Sequence, residues 1–130
     1  MAYAINHLHL KSADPERSAA WWSEAFKFEI VSDATRSFGD RFLVCRSENG
    51  INVMISNERA GEQLGVANSG AHFGLEHFGF DSDDLEKDID RLVSLGATLA
   101  EPPIEAAPGV RICFLSTPDQ VRIELIERRA

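Results

Sequence analysis

Residues 5–16 read Ile-Asn-His-Leu-His-Leu-Lys-Ser-Ala-Asp-Pro-Glu, and residues 75–86 read Leu-Glu-His-Phe-Gly-Phe-Asp-Ser-Asp-Asp-Leu-Glu. The two stretches align at a constant offset of 70, which sets His7 on His77, Ser12 on Ser82 and Asp14 on Asp84. The same offset carries Ile51–Ile55 onto Val121–Leu125, so the repeat covers each half of the chain from end to end. Self-similarity on this scale marks a duplicated structural unit.

Working outward, each half opens with an alternating strand, about 4–10 and 75–81, in which Leu8 and Leu10, or Phe78 and Phe80, make one apolar face. Asp14 and Asp84 are placed as helix N-caps, Pro15 suits the first helical position, and the helices run to about 26 and 95. Leu85, Ile89, Leu92 and Leu95 recur at helical spacing, and Gly96 is placed as the stop. Three strands follow in each half, at 28–33, 41–47 and 51–56, then at 98–101, 110–116 and 121–127. Pro102, Pro103 and Pro108 are assigned to a loop. The expectation is an α+β chain of paired βαβββ modules, module one at about 4–57 and module two at about 74–128, joined by a Gly-, Asn- and Ser-rich linker at 58–73 within a single domain 1–130.

Composition narrows the function classes. The 130 residues are 44% apolar with eight Phe and two Trp, enough to fill a core. A net charge of −8 with scattered basic residues opposes binding to a phosphate backbone, so nucleic acid is not an expected partner. No apolar run approaches the roughly 20 residues of a bilayer span, and the N-terminus lacks a signal-peptide pattern. A soluble, cytoplasmic protein without membrane contact is expected. Cys45 and Cys113 sit in apolar strand runs without metal-type spacing, which favours buried thiols.

Side-chain alternation then sorts the faces. With Leu8, Leu10, Phe78 and Phe80 turned to the helices, His7, His9, His77 and Gly79 take the other face. Ile51, Val53 and Ile55 pack while Asn52, Met54 and Ser56 turn away; Val121, Ile123 and Leu125 pack while Arg122 and Glu124 join the histidines. A lone strand histidine is usually a structural residue. Two at equivalent positions of a repeat, on one face with a carboxylate, form instead a ligand set for Zn²⁺, Ni²⁺, Mn²⁺ or Fe²⁺: His7, His77 and Glu124, with positions left open for water and substrate.

These residues resemble the vicinal oxygen chelate superfamily, the glyoxalase, bleomycin-resistance and extradiol dioxygenase group. The resemblance rests on Ile5-Asn-His-Leu-His-Leu with Asp14 and Trp22, on Glu76-His77-Phe-Gly-Phe with Asp84-Leu, and on Thr117-Pro-Asp-Gln-Val-Arg-Ile-Glu124-Leu. It implies a glyoxalase-like fold of curved mixed sheets around a central cleft, one divalent metal ion per site on His7, His77 and Glu124, and a homodimer. At the fourth ligand position of the metal-dependent lyases and epimerases stands Met54, whose thioether cannot accept a proton. Phe114 occupies the position of a Tyr in the extradiol dioxygenases and fosfomycin thiol transferases. Two turns also depart from the family pattern, with Lys27 and Gln120 standing where glycine is usual.

The resemblance implies a metal-dependent lyase or isomerase acting on a small substrate chelated through two vicinal oxygens. An iron-dependent ring-cleaving dioxygenase and a bleomycin-resistance-type binding protein without catalysis are the alternatives. For the first, Glu124, His9 and His72 are the candidate catalytic residues, since a carboxylate or imidazole can move a proton near neutrality. Asn52, Met54, Phe114 and Arg122 are the candidate substrate-binding residues, with Arg46 a further basic group. Trp21, Trp22, Phe38 and Phe42 could hold an aromatic ligand in the binding-protein alternative, although their spacing favours core packing for most.

Overall fold

A computed structural model describes residues 1–129. The chain forms two compact units, Met1–Gly65 and the part from Val66 onward. Module one runs β1 (His7–Lys11), α1 (Pro15–Phe26), β2 (Glu29–Thr35), β3 (Arg41–Arg46) and β4 (Asn52–Ser56). Module two repeats the order with β5 (Phe78–Asp81), α2 (Leu85–Ser94), β6 (Thr98–Ala107), β7 (Val110–Ser116) and β8 (Arg122–Arg128). Both are βαβββ units, each with a four-stranded mixed sheet in the order β1-β4-β3-β2 or β5-β8-β7-β6. The three later strands of a module form an antiparallel meander. The helical crossover returns the chain so that its first strand pairs parallel with its last, His7 facing Asn52 and Phe78 facing Ile123.

The turn from first strand to helix is built the same way twice. Ser12 Oγ accepts the Asp14 N–H at 3.1 Å and Ser82 Oγ the Asp84 N–H at 3.2 Å. Asp14 and Asp84 then cap their helices, each accepting a backbone N–H three residues on. At the far end of α2 the Ala97 N–H reaches Leu92 O at 3.0 Å, with Gly96 left-handed at φ 104° as a helix stop requires.

The apolar faces match the alternation. Val53, Ile55, Leu43 and Cys45 are buried with Ala19, Trp22 and Ala25 of α1 in module one, and Leu115, Ile123, Leu125 and Cys113 are buried, as are Leu85, Ile89 and Leu92 of α2, in module two. Burial pushes both thiols up to about 11, so they stay protonated and inert. Trp22 is core, 1% exposed, whereas Phe38 is half exposed beneath the guanidinium groups of Arg36 and Arg59.

Four boundaries differ from the sequence expectation. Residues 4–6 and 75–77 precede β1 and β5 and are not paired as strand. Ile51 likewise precedes β4 and is 38% exposed, outside the core expected for it. Pro102 and Pro103 lie inside β6, not in a loop. β6 can hold them because it is the edge of its sheet and its register with β7 shifts between Glu101 and Ile104, where proline's missing N–H removes no regular ladder bond. Among the described residues no helix is long and apolar enough to cross a membrane.

Candidate metal centre

In module two, β5 and β8 pair parallel, which sets Gly79 opposite Glu124 in the middle of the sheet. A Cβ at Gly79 would stand 3.5 Å from Glu124 Oε1, so glycine leaves space over the carboxylate. His77, immediately before β5, fills the neighbouring position, with Nε2 3.7 Å from Glu124 Oε1. On its other side, β8 pairs with β7 and brings Phe114 opposite Glu124; the Phe114 ring meets His77 edge-on at 5.0 Å between centroids.

The donor chemistry of this pair fits a divalent cation. His77 Nδ1 lies 2.9 Å from Glu76 Oε2, and because a carboxylate only accepts, Nδ1 is the donor of that bond. Two ligand atoms about 2.1 Å from a shared ion stand roughly 3.4 Å apart in tetrahedral geometry, within a few tenths of an ångström of the separation seen. A carboxylate behind a ligating imidazole is the usual support for such a ligand. Glu76 is pushed up by partial desolvation, but its contacts with His77 and Arg122 outweigh this and hold the carboxyl below its ordinary range. It therefore stays an anion.

Arg122 ties the group together. Its Nε donates to Glu76 Oε1 at 2.9 Å, a second nitrogen pairs with Glu101, and its guanidinium lies 4.3 Å from the centre of the Phe114 ring. Arg122, expected to bind substrate, thus has its charge matched by two carboxylates. Glu76, Glu101 and Arg122 with Gly70, Ala71 and His72 line an open cavity of about 310 Å³. His72 turns Nδ1 to Gly70 O at 2.7 Å and Nε2 to Leu75 O at 3.1 Å, so both ring nitrogens face backbone carbonyls.

Module one carries the equivalent residues. His7, the first residue of β1, is exposed, and its Nδ1 meets Asn6 Oδ1. Across the parallel pair, Asn52 stands opposite His7 and Met54 opposite His9. Asn52 Oδ1 accepts from Arg46 Nε at 3.3 Å, the fate of that arginine in this structure. His9 Nε2 is 2.7 Å from the buried Ser56 hydroxyl, and its ring packs edge-on against Phe42. Desolvation, then the charges of Lys11, Arg36 and His7, lower the His9 pKa, which favours the neutral ring.

A second group of carboxylates also comes together: Asp84, Glu86 and Glu127 bring ligand oxygens within 4.8 Å of one another, close enough to share a cation. Their oxygens already have work at the start of α2. Asp84 accepts the Lys87 N–H and Glu127 the Leu85 N–H, while Arg111 pairs with both Glu86 and Glu127, and Arg129 with Glu127. This group closes a helix end against two arginines. Strand alternation placed Ser56 on the histidine face without giving it a role, and gave none to Glu76 or Glu101. Glu76 was visible only as the neighbour of His77, and Glu101 reaches Arg122 through the irregular β6 register, which no periodicity encodes.

The family described as the Glyoxalase/Bleomycin resistance protein/Dioxygenase superfamily matches residues 4–125, and the chain belongs to it. Metal-chelation catalysis on diverse substrates is the chemistry common to that superfamily. Among solved structures, a glyoxalase family protein from Bacillus cereus is similar over 100% of this chain and 97% of its own, at TM-score 0.86 and 11% identity. A glyoxylase/bleomycin resistance protein/dioxygenase domain from Frankia sp. EAN1pec is similar over 99% and 100%, at 0.75 and 20%. A fosfomycin resistance protein from Mesorhizobium loti is similar over 96% and 91%, at 0.68 and 22%. At these identities the likeness speaks for the fold. No curated protein matches the chain.

Proposed function

We propose that the chain is a divalent-metal-dependent lyase or isomerase acting on a small substrate that offers two neighbouring oxygens to the metal, with His7, His77 and Glu124 as ligands. The observation that carries this reading is the His77 Nε2 and Glu124 Oε1 pair at 3.7 Å, its imidazole backed by Glu76 through Nδ1. Zn²⁺, Ni²⁺, Mn²⁺ and Fe²⁺ all accept two imidazoles and one carboxylate. When bound, such an ion supplies Lewis acidity, polarising a carbonyl and stabilising an enolate.

The protein's own residues do the rest. Gly79 keeps the space over Glu124 open, so the carboxylate can take a proton at the oxygen it does not use as ligand. His9, anchored at Nε2 by Ser56 and kept neutral, exchanges a proton at Nδ1. His72 stands at the rim of the module-two cavity and would carry a proton there on turning one ring nitrogen away from its backbone carbonyl. Asn52, Met54 and Phe114 shape the substrate side, and Met54, lacking a basic atom, restricts proton transfer to these groups. Arg122 acts on substrate through the cavity it lines.

The protein is also proposed to work as a homodimer in the cytoplasm. Tyr3 and Ile5 before β1, and Phe73 and Leu75 before β5, are repeat-equivalent and exposed at 97%, 86%, 105% and 67%. Paired apolar side chains leading into two edge strands call for a second surface to cover them.

Elemental analysis of purified protein tests the metal reading. Near-stoichiometric metal is expected for the wild type, with loss in His7→Ala, His77→Ala and Glu124→Ala. Unchanged occupancy in all three variants would reject these ligands.

A further inference from the structure

The duplication is faithful at the imidazoles and has diverged behind them. Each histidine turns Nδ1 to the side-chain oxygen of the residue before it, Asn6 for His7 and Glu76 for His77. Asn6 is a neutral amide; Glu76 is an anion. Glu76 spends both oxygens, Oε2 on His77 and Oε1 on Arg122 at 2.9 Å. Arg122, 14% exposed, is fixed in turn by Glu101 and by the Phe114 ring, and that ring meets the edge of His77. The circuit His77–Glu76–Arg122–Phe114 therefore closes on itself. At the offset of 70, module one has Asn52 for Arg122 and Val44 for Phe114, so the circuit belongs to module two alone.

We infer that Glu76, clamped by Arg122, is a positioning residue that fixes His77 as the Nδ1–H tautomer with Nε2 turned to Glu124, and that its charge makes His77 the stronger donor of the two duplicated imidazoles. The second half of this inference rests on the metal reading; the first half does not. Which nitrogen of an imidazole carries the proton is set by the bond made at the other, and a carboxylate behind a ligating imidazole supports that ligand more than a neutral amide does. Glu76 is half exposed, so a single ion pair there would hold little; the engagement of both oxygens by two different donors gives it one geometry.

The test has two arms on the full chain. In the metal-free protein, nitrogen-15 spectra of the imidazoles are expected to show His77 as Nδ1–H in the wild type and in Glu76→Gln, which keeps an acceptor oxygen. Glu76→Ala should shift His77 toward Nε2–H, and Arg122→Met should do so in part. A His77 tautomer that is Nε2–H in the wild type, or unchanged in Glu76→Ala, overturns the inference whatever the metal does. In the second arm, calorimetric titration with Zn²⁺ is expected to show affinity falling about 10- to 100-fold in Glu76→Ala, less in Glu76→Gln, and less in Asn6→Ala than in Glu76→Ala. Wild-type affinity in Glu76→Ala, with binding abolished in His77→Ala, refutes the donor claim and leaves the metal centre standing. Undiminished affinity in His77→Ala refutes the metal reading and with it the donor claim, while the tautomer arm still decides the positioning role.

Discussion

Lys27 and Gln120 adopt left-handed backbone conformations, with φ of 57° and 62°. They stand at the two turn positions where the resemblance leads glycine to be expected, and both take the backbone shape that glycine adopts most easily. Lys27 ends α1, its N–H returning to Ser23 O at 2.9 Å; Gln120 closes the turn between β7 and β8, its N–H reaching Thr117 O at 2.9 Å. A side chain there costs roughly 1–2 kcal/mol, offset in part by the greater freedom glycine has when unfolded. Lys27→Gly and Gln120→Gly are each expected to raise stability by about 0.5–1 kcal/mol, read from urea midpoints. A lower midpoint in both would show that these side chains stabilise their turns by contacts.

At the scale of elements, the β2–β3 connection shows how a short turn encloses a charge. Asp40 is fully buried, and Arg36 meets it with Nε at 3.0 Å and a terminal nitrogen at 2.5 Å while lying 4.0 Å over the Phe42 ring. The Arg36 hydrogen bonds outweigh desolvation and hold the Asp40 carboxyl below its ordinary range. A carboxyl whose folded pKa is depressed adds stability above its unfolded pKa, about 3.9, and loses it as the pH falls through the folded value. Asp40→Asn should thus have a lower urea midpoint than the wild type at pH 7, with the gap closing below about pH 4. A gap independent of pH would mean that the pair contributes by shape and not by charge. The edge strand β6 gives the contrasting lesson. Pro102 and Pro103 read as loop because proline breaks a ladder, yet an edge position beside a register shift has no ladder bond to lose there.

On the scale of the whole molecule, the homodimer proposed above has a direct consequence. Sedimentation at micromolar concentration should give twice the mass of one chain, and Tyr3→Lys with Phe73→Lys should shift the chain toward monomer without unfolding it, since both side chains are solvent-exposed. A wild-type monomer at that concentration would remove the proposal.

The sequence by itself determined the duplicated βαβββ order, the capped helices, the apolar faces of the strands and the identity of His7, His77 and Glu124 as candidate ligands. All of these follow from local periodicity and a repeat at fixed offset, which need no knowledge of distant contacts. Only the tertiary structure decided that Glu76 and Arg122 stand behind His77, that Glu101 reaches them from β6, and that Ser56 holds His9. Glu76 precedes its strand, Glu101 follows a register shift, and Ser56 is 47 residues from His9. Strand alternation places a side chain on a face. Which of its neighbours it touches depends on pairing register and backbone irregularity, and those are set by the packing of the whole sheet.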